Sequence, residues 1–475
     1  MTHRAASLAL VACLLGISPV QAQDRMLAPP DSQYFSSRKS WGKDLADQWG
    51  LHRIGFDASP QSAWRLVKAD AQPVIIAIVD SGLDWNHKHI NRNSLWRNPK
   101  ELAGNGVDDD KNRYVDDIIG WDFLDHNNLP WDYDGHGTFV AGIIAGDWNE
   151  KSGLAGVNPF ARLMILRALN DFGNTRASVV AEAIAYAADN GARVINLSLG
   201  GKKLTNAERA AIDYAFGKGA VIVVAAGNQG IDISDYGIAS SDKVLAVAAT
   251  GPDDQRAKFS NWGKIAVSAP GTDILSLRAR RTDTMLGVDL AKYKPGTNFV
   301  GDDKRFYRAD GTSFAAPLVS GLASLMIAND PTLTNVQVMN IIKSTARDAG
   351  LPGVDQYTGY GIIDSRAALK AAKDFRLLAG IEKLSVVQAG GKPAVRVTGI
   401  ADADQLKGIR LEVGRGETPK DWKAAGTGKQ AAQSGSEIGD IPAAALAGAK
   451  VWQVRVVVEH QNGARREARY RLSLN

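Results

Sequence analysis

Three short segments each set one reactive side chain beside glycine: Val79-Asp80-Ser81-Gly82, Gly135-His136-Gly137-Thr138 and Gly311-Thr312-Ser313-Phe314-Ala315-Ala316-Pro317. A serine hydroxyl is a poor nucleophile at neutral pH. Using it on an amide requires a base to take its proton and a third group to orient that base. Asp80, His136 and Ser313 are the side-chain types this chemistry needs. A fourth segment, Val223-Val224-Ala225-Ala226-Gly227-Asn228, ends in a side-chain amide that can donate to an oxyanion. Singly, each has a structural reading: a strand-end Asp as a helix cap, a packed His, Gly-Thr-Ser as an N-cap, Asn as a turn residue. Together, in the order Asp, His, Ser, they favour nucleophilic catalysis.

These groups need rigid positions. Between residues 74 and 375, apolar runs of strand length (74–79, 163–166, 194–197, 221–225, 244–248) alternate with helical patterns at 177–190 and 206–218. Gly191 and Gly219 stand where those helices should stop. The pattern predicts an α/β fold, a parallel sheet with helices on both faces. Ligand sites in such sheets lie at the carboxyl ends of the strands, where Asp80 and Asn228 fall. His136 precedes a helical run at 138–144, and Ser313 opens a helix over 315–328, whose free N–H groups and dipole suit an oxyanion. After Phe375 the period becomes two, at 394–398, 409–413, 451–458 and 465–472, with Asn462-Gly463 as a hairpin signal. A small all-β, sandwich-like C-terminal domain is expected, far too short for an outer-membrane barrel.

The chain has 475 residues, 45% of them hydrophobic, enough for roughly two or three domains. Residues 1–22 read as a secretory signal peptide: Arg4, an apolar run from Ala5 to Val20, and Val20-Gln21-Ala22 at the cleavage positions. No later stretch supplies the apolar span of a membrane anchor, so no membrane insertion is expected. Cys13, the only cysteine, lies inside that segment. Cleavage beside it as a lipoprotein would cut the apolar run halfway. The mature chain then has no thiol nucleophile and no thiolate metal site. The net charge is +5: from residue 378 on, 15 Lys+Arg face 10 Asp+Glu, leaving 41 against 41 before it. Cations alternating with apolar residues read as the wet face of a sheet, and no nucleic-acid partner is expected.

Five motifs, Asp-Ser-Gly, Gly-His-Gly-Thr-x-Val-Ala-Gly, Asn-Leu-Ser-Leu-Gly, Ala-Ala-Gly-Asn and Gly-Thr-Ser-x-Ala-Ala-Pro, resemble the subtilisin-like serine proteases, in that family's order and over about residues 47 to 373. The Gly-x-Ser-x-Gly elbow of α/β-hydrolases is not formed around Ser313. The resemblance implies a serine endopeptidase acting on polypeptides, with Asp80 as orienting acid, His136 as base, Ser313 as nucleophile and Asn228 as oxyanion donor; with the signal segment it is expected to be secreted, and a monomer is expected. It further implies that Ser198, Leu199 and Gly200 pair with substrate backbone, while Ala225, Ala226 and Gly227 line the pocket before the scissile bond. Gly359-Tyr360-Gly361 with Ile363-Asp364 resembles a structural closing motif. Two departures are Phe139, where many members have His, and Asp310, where they usually have Ser. The resulting division is a signal at 1–22, a short extension at 23–46 with no folded pro-domain, a peptidase domain at 47–377 and the β domain at 378–475. The rival reading is an inactive binding protein on the same fold, working through its basic β domain; an intact set of four groups argues against it.

Asp108, Asp110, Asn112, Tyr114, Asp116 and Asp117 space oxygen side chains as calcium loops do, and resemble an acidic insertion of many such proteases. Structural Ca²⁺ is expected there, with no cofactor in the chemistry. Arg113 stands where a sharp turn would favour glycine. His87 and His89 lack a third ligand nearby and read as a surface turn; Arg278, Arg280 and Arg281 read as a solvated loop.

Overall fold

The structure, a computed structural model, describes residues 26–38, 44–148, 153–280, 299–300, 304–428 and 431–474. The expected signal peptide, with Cys13, and Arg281 lie outside the described residues. Seven strands form one parallel sheet: β1 (Val74–Asp80), β2 (Gly120–Asp122), β3 (Ala161–Arg167), β4 (Val194–Leu197), β5 (Val221–Ala225), β6 (Val244–Thr250) and β7 (Val267–Pro270), ordered β2-β3-β1-β4-β5-β6-β7. Successive residues of one strand serve different cores. Ile76 and Ile78 pack on the side of the helices His136–Ala145 and Thr312–Asn329, while Ala77 and Val79 face the helices Ala177–Asp189 and Asn206–Gly217. Burial on both faces is why the strands read as unbroken apolar runs. Gly191 and Gly219 follow the two outer helices at φ 78° and 91°, a region open to glycine and costly for a Cβ. Thr205 and Glu208 close a capping box at the start of the second.

A small antiparallel sheet of β8 (Ile274–Leu277), β9 (Phe299–Val300) and β10 (Phe306–Ala309), ordered β8-β10-β9, leads into the helix Thr312–Asn329. That helix is long and apolar enough to cross a membrane, but 89% of its apolar window is buried in the protein core. Ahead of residue 47, the helix Gln33–Ser36 is part of the same body. Tyr34 and Phe35 lie in the core, Phe35 against Trp64 at 5.3 Å and Tyr34 against Phe306 at 4.9 Å. The buried Arg308 ties it further, donating to the Asp47 carbonyl at 3.0 Å and carboxylate at 3.2 Å.

The C-terminal part is two antiparallel sheets. One joins β11 (Leu377–Ala389), β12 (Lys392–Ala403) and β15 (Ala432–Pro442); the other joins β13 (Leu406–Arg415), β14 (Lys423–Thr427), β16 (Val451–His460) and β17 (Arg465–Ser473). Val395 and Val397 from the first and Leu411, Val454 and Val456 from the second share one core, which makes a sandwich. Gly463 turns the β16–β17 hairpin at φ 90°.

Candidate active site

The carboxyl ends of the central strands gather the site. Asp80 ends β1 fully buried, and His136 Nδ1 lies 2.7 Å from its Oδ1. Two glycines permit this approach. A Cβ on Gly137 would stand 2.2 Å from the Gly82 carbonyl oxygen, so the loops after Asp80 and around His136 meet only as bare backbone. Buried Asp132 fixes the His136 loop, accepting from the backbone of Gly135 at 2.7 Å and Thr138 at 2.8 Å and from the hydroxyls of Ser81 and Thr138 at 2.8 and 2.6 Å.

Burial opposes charge on His136, yet the attraction and hydrogen bond of Asp80, with Asp134 and Asp132 behind it, outweigh that and raise its pKa from 6.5 to about 9. Burial likewise pushes the Asp134 carboxyl up to about 6. Ser313 sits in the first turn of its helix, its hydroxyl donating to the Ser198 carbonyl at 3.2 Å. Asn228 follows β5 and Gly227. Its Oδ1 accepts from both the backbone N–H and the hydroxyl of Thr312 at 2.9 Å. Oxygen on that side directs the amide N–H pair the other way. Thr312 therefore aims Asn228, and its hydroxyl accepts from Gly227 N–H at 2.9 Å. Thr312 stands inside a motif already singled out, but its link to Asn228 spans 84 positions and is not visible in the sequence.

A cavity of about 180 Å³ lies beside Ser313 and Asn228. Ser198, Leu199, Gly200, Ala225, Ala226 and Gly227 all line it, with Tyr236 and Ile238 completing an apolar side that sequence reasoning did not reach. Fully buried Phe139 packs on Phe314 at 4.2 Å, and Phe314 on the His136 ring at 5.5 Å; Asp310 accepts from Asp273 N–H at 2.7 Å.

The acidic insertion divides differently from its spacing. Asp108 and Asp110 come together with Glu101, which the spacing did not include, their ligand oxygens lying within 4.8 Å of one another. Asp116 instead accepts from the backbone of Gly104, Asn105 and Gly106 at 2.7, 3.2 and 2.9 Å. Asp117 takes Asn98 at 2.7 Å, Asn112 at 2.9 Å and the Tyr186 hydroxyl, while Tyr114 donates to Glu182 at 2.9 Å. Arg113 does adopt a left-handed backbone, at φ 82°. Three convergent carboxylates fit a hard cation.

His87 and His89 are not a surface turn. They are 1% and 0% exposed, ring to ring at 5.5 Å, because Phe306 covers His89 at 4.8 Å. Burial lowers the His87 pKa to about 4. Arg280, too, is held: its backbone and guanidinium donate to buried Asp84 at 2.8 to 2.9 Å.

The Subtilase family model matches residues 71–361. The chain belongs to the subtilase family. Among its relatives are a thermophilic serine proteinase of Bacillus sp. strain AK1, 35% identical over 66% of this chain and 67% of that protein, and thermitase of Thermoactinomyces vulgaris, 33% identical over 72% and 99%. A solved protease structure from Pseudoalteromonas arctica PAMC 21717 superposes with a TM-score of 0.55 at 25% identity, covering 72% of this chain and 99% of that one. This subtilase is a serine-type endopeptidase.

Proposed function

We propose that the subtilase is secreted and cleaves polypeptides through an acyl-enzyme on Ser313, with His136, Asp80 and Asn228 as its partners. The 2.7 Å contact between His136 Nδ1 and Asp80 Oδ1 carries this reading. A carboxylate only accepts, so Nδ1 holds a proton, and in the neutral imidazole Nε2 presents a lone pair to the serine. Ser313 Oγ gives its proton to Nε2 and attacks the carbonyl carbon. The oxygen that gains charge meets the Asn228 amide and the Ser313 backbone N–H. Collapse expels the amine, which takes the proton from His136, and water releases the acyl group by the same route.

The residues at the cavity support a small or medium apolar side chain before the scissile bond, with Ser198 to Gly200 pairing to the substrate backbone. Export rests on the apolar run from Ala5 to Val20. Glu101, Asp108 and Asp110 are the residues that would hold a structural calcium ion, which neutralises the three carboxylates and takes no part in the chemistry.

Labelling with a fluorophosphonate probe and digestion of an unfolded protein test the mechanism. The wild type should label and cleave, and Ser313→Ala should do neither. A folded wild type that does neither in the presence of calcium overturns it.

A further inference from the structure

In an α-helix the carbonyl of residue i accepts from the N–H of residue i+4. For Ser313 that donor position is 317, and Pro317 has no N–H to give. The carbonyl of the serine itself is therefore deprived of its helical partner in the first turn. Ser198 fills the gap, its Oγ donating to the Ser313 carbonyl at 2.8 Å.

A hydroxyl can turn, so something must keep the Ser198 proton pointing there. Asn196 Nδ2 lies 3.0 Å from Ser198 Oγ, and Ser320 Oγ lies 2.8 Å from Asn196 Oδ1. Asn196 and Ser320 are fully buried and Ser198, at the cavity wall, is only 4% exposed, so the inner links of the chain are shielded from solvent. The chain has one workable polarity. The Ser313 carbonyl can only accept, so Ser198 must donate to it; Ser198 then has no proton for Asn196 and must accept from Nδ2. Asn196 Oδ1 consequently faces Ser320, whose hydroxyl donates. Ser320 lies seven positions beyond Ser313 on one helix, about 10 Å along its axis, and neither it nor Asn196 lines the substrate cavity.

We propose that Ser320 and Asn196 are positioning residues for the nucleophile: the relay Ser320, Asn196, Ser198, Ser313 replaces the bond lost at Pro317. It holds the first helical turn so that the Ser313 hydroxyl and N–H stay in register with His136 and Asn228. The inference rests on Ser313 as nucleophile.

Ser320→Ala removes the donor that orients the amide. Asn196→Asp keeps the shape but puts an acceptor on both sides, drawing the Ser198 proton away from Ser313. The test measures kcat and KM on a peptide amide, the rate of fluorophosphonate labelling, and the final labelled fraction, which counts folded sites. With full final labelling, kcat and labelling rate should fall about tenfold in Ser320→Ala and further in Asn196→Asp, with KM little changed. Wild-type kcat in either fully labelled variant overturns the proposal, as does a loss that merely follows the labelled fraction. A wild type that does not label at all fails the nucleophile assignment before either variant is compared, and the relay falls with it.

Discussion

The Arg466 guanidinium, on β17 of the C-terminal sandwich, donates to the Ser344 carbonyl at 2.6 Å, inside the peptidase body. It also reaches the carbonyls of Ala346 at 3.0 Å and Tyr360 at 3.3 Å. Ser344 and Ala346 lie at the end of the helix Asn335–Thr345, where carbonyls lack helical partners and the dipole favours a cation. Burial lowers the Arg466 pKa, but three acceptors hold the charge in place. A backbone bond from Val354 to Glu467 at 2.7 Å joins the same two parts. The sandwich is thus docked, not tethered.

Arg466→Ala should therefore loosen the whole enzyme. Hydrogen bonds to a charged group contribute about 1.5 to 3 kcal/mol each, and the stranded carbonyls add to the cost. A loss of roughly 3 kcal/mol is expected. Calorimetry should show one transition splitting in two as the domains uncouple; a single, unshifted transition would place the docking energy elsewhere.

Much of this architecture was legible because its physics is local. β1, β4 and β5 are buried on both faces, so each is a run of apolar residues. The alternation in β12, β13 and β16 follows from a sandwich with one wet face. What stayed hidden depends on contacts distant in sequence. His87 and His89 are polar by type and become core only when Phe306 folds over them. Glu101 joins Asp108 and Asp110 only through the fold of the insertion, its own carboxylate accepting from the N–H groups of Asp109, Asp110 and Asp116. Tyr34 and Phe35 precede the motifs and read as part of a short extension until Trp64 and Phe306 receive them.

Removing calcium should separate the two halves of the acidic insertion. A chelator should lower the thermal midpoint of the wild type, by an amount equivalent to about 3 kcal/mol if calcium had stood at a hundredfold its Kd. Asp108→Asn should abolish that calcium dependence. Asp116→Asn should instead destabilise equally with and without calcium, since Asp116 holds the backbone of Gly104 to Gly106. A chelator without effect on the wild type would mark the cluster as a solvated acidic turn.

Asn228→Ala should lower kcat about a hundredfold or more with little change in KM, the pattern of a donor used only in the transition state. Thr312→Val should cost less, roughly tenfold, because the Thr312 backbone N–H still holds Asn228 Oδ1 at 2.9 Å when the hydroxyl is gone. In the proposed mechanism both act through one amide. The double variant should accordingly be no slower than Asn228→Ala alone; additive losses would show that Thr312 works independently.

With the His136 pKa raised to about 9 against the opposing effect of burial, chiefly by Asp80, this residue should set the pH dependence. The imidazole must be neutral to accept the Ser313 proton, so kcat/KM should climb with pH and level off only above about 9. Asp134 contributes to the rise and, with its own pKa near 6, is charged throughout that range. Asp134→Asn should therefore shift the acid limb downward and increase activity at neutral pH. Stability follows the opposite course. A group raised on folding from 6.5 stabilises fully below that value, and the contribution fades as pH passes through about 9. In Ser313→Ala, which should not cleave itself, the thermal midpoint should fall across that interval, and Asp80→Asn, which removes the main attraction, should flatten the fall. A limb centred near 6.5 in the wild type would instead mean that Asp80 orients the imidazole without holding its proton.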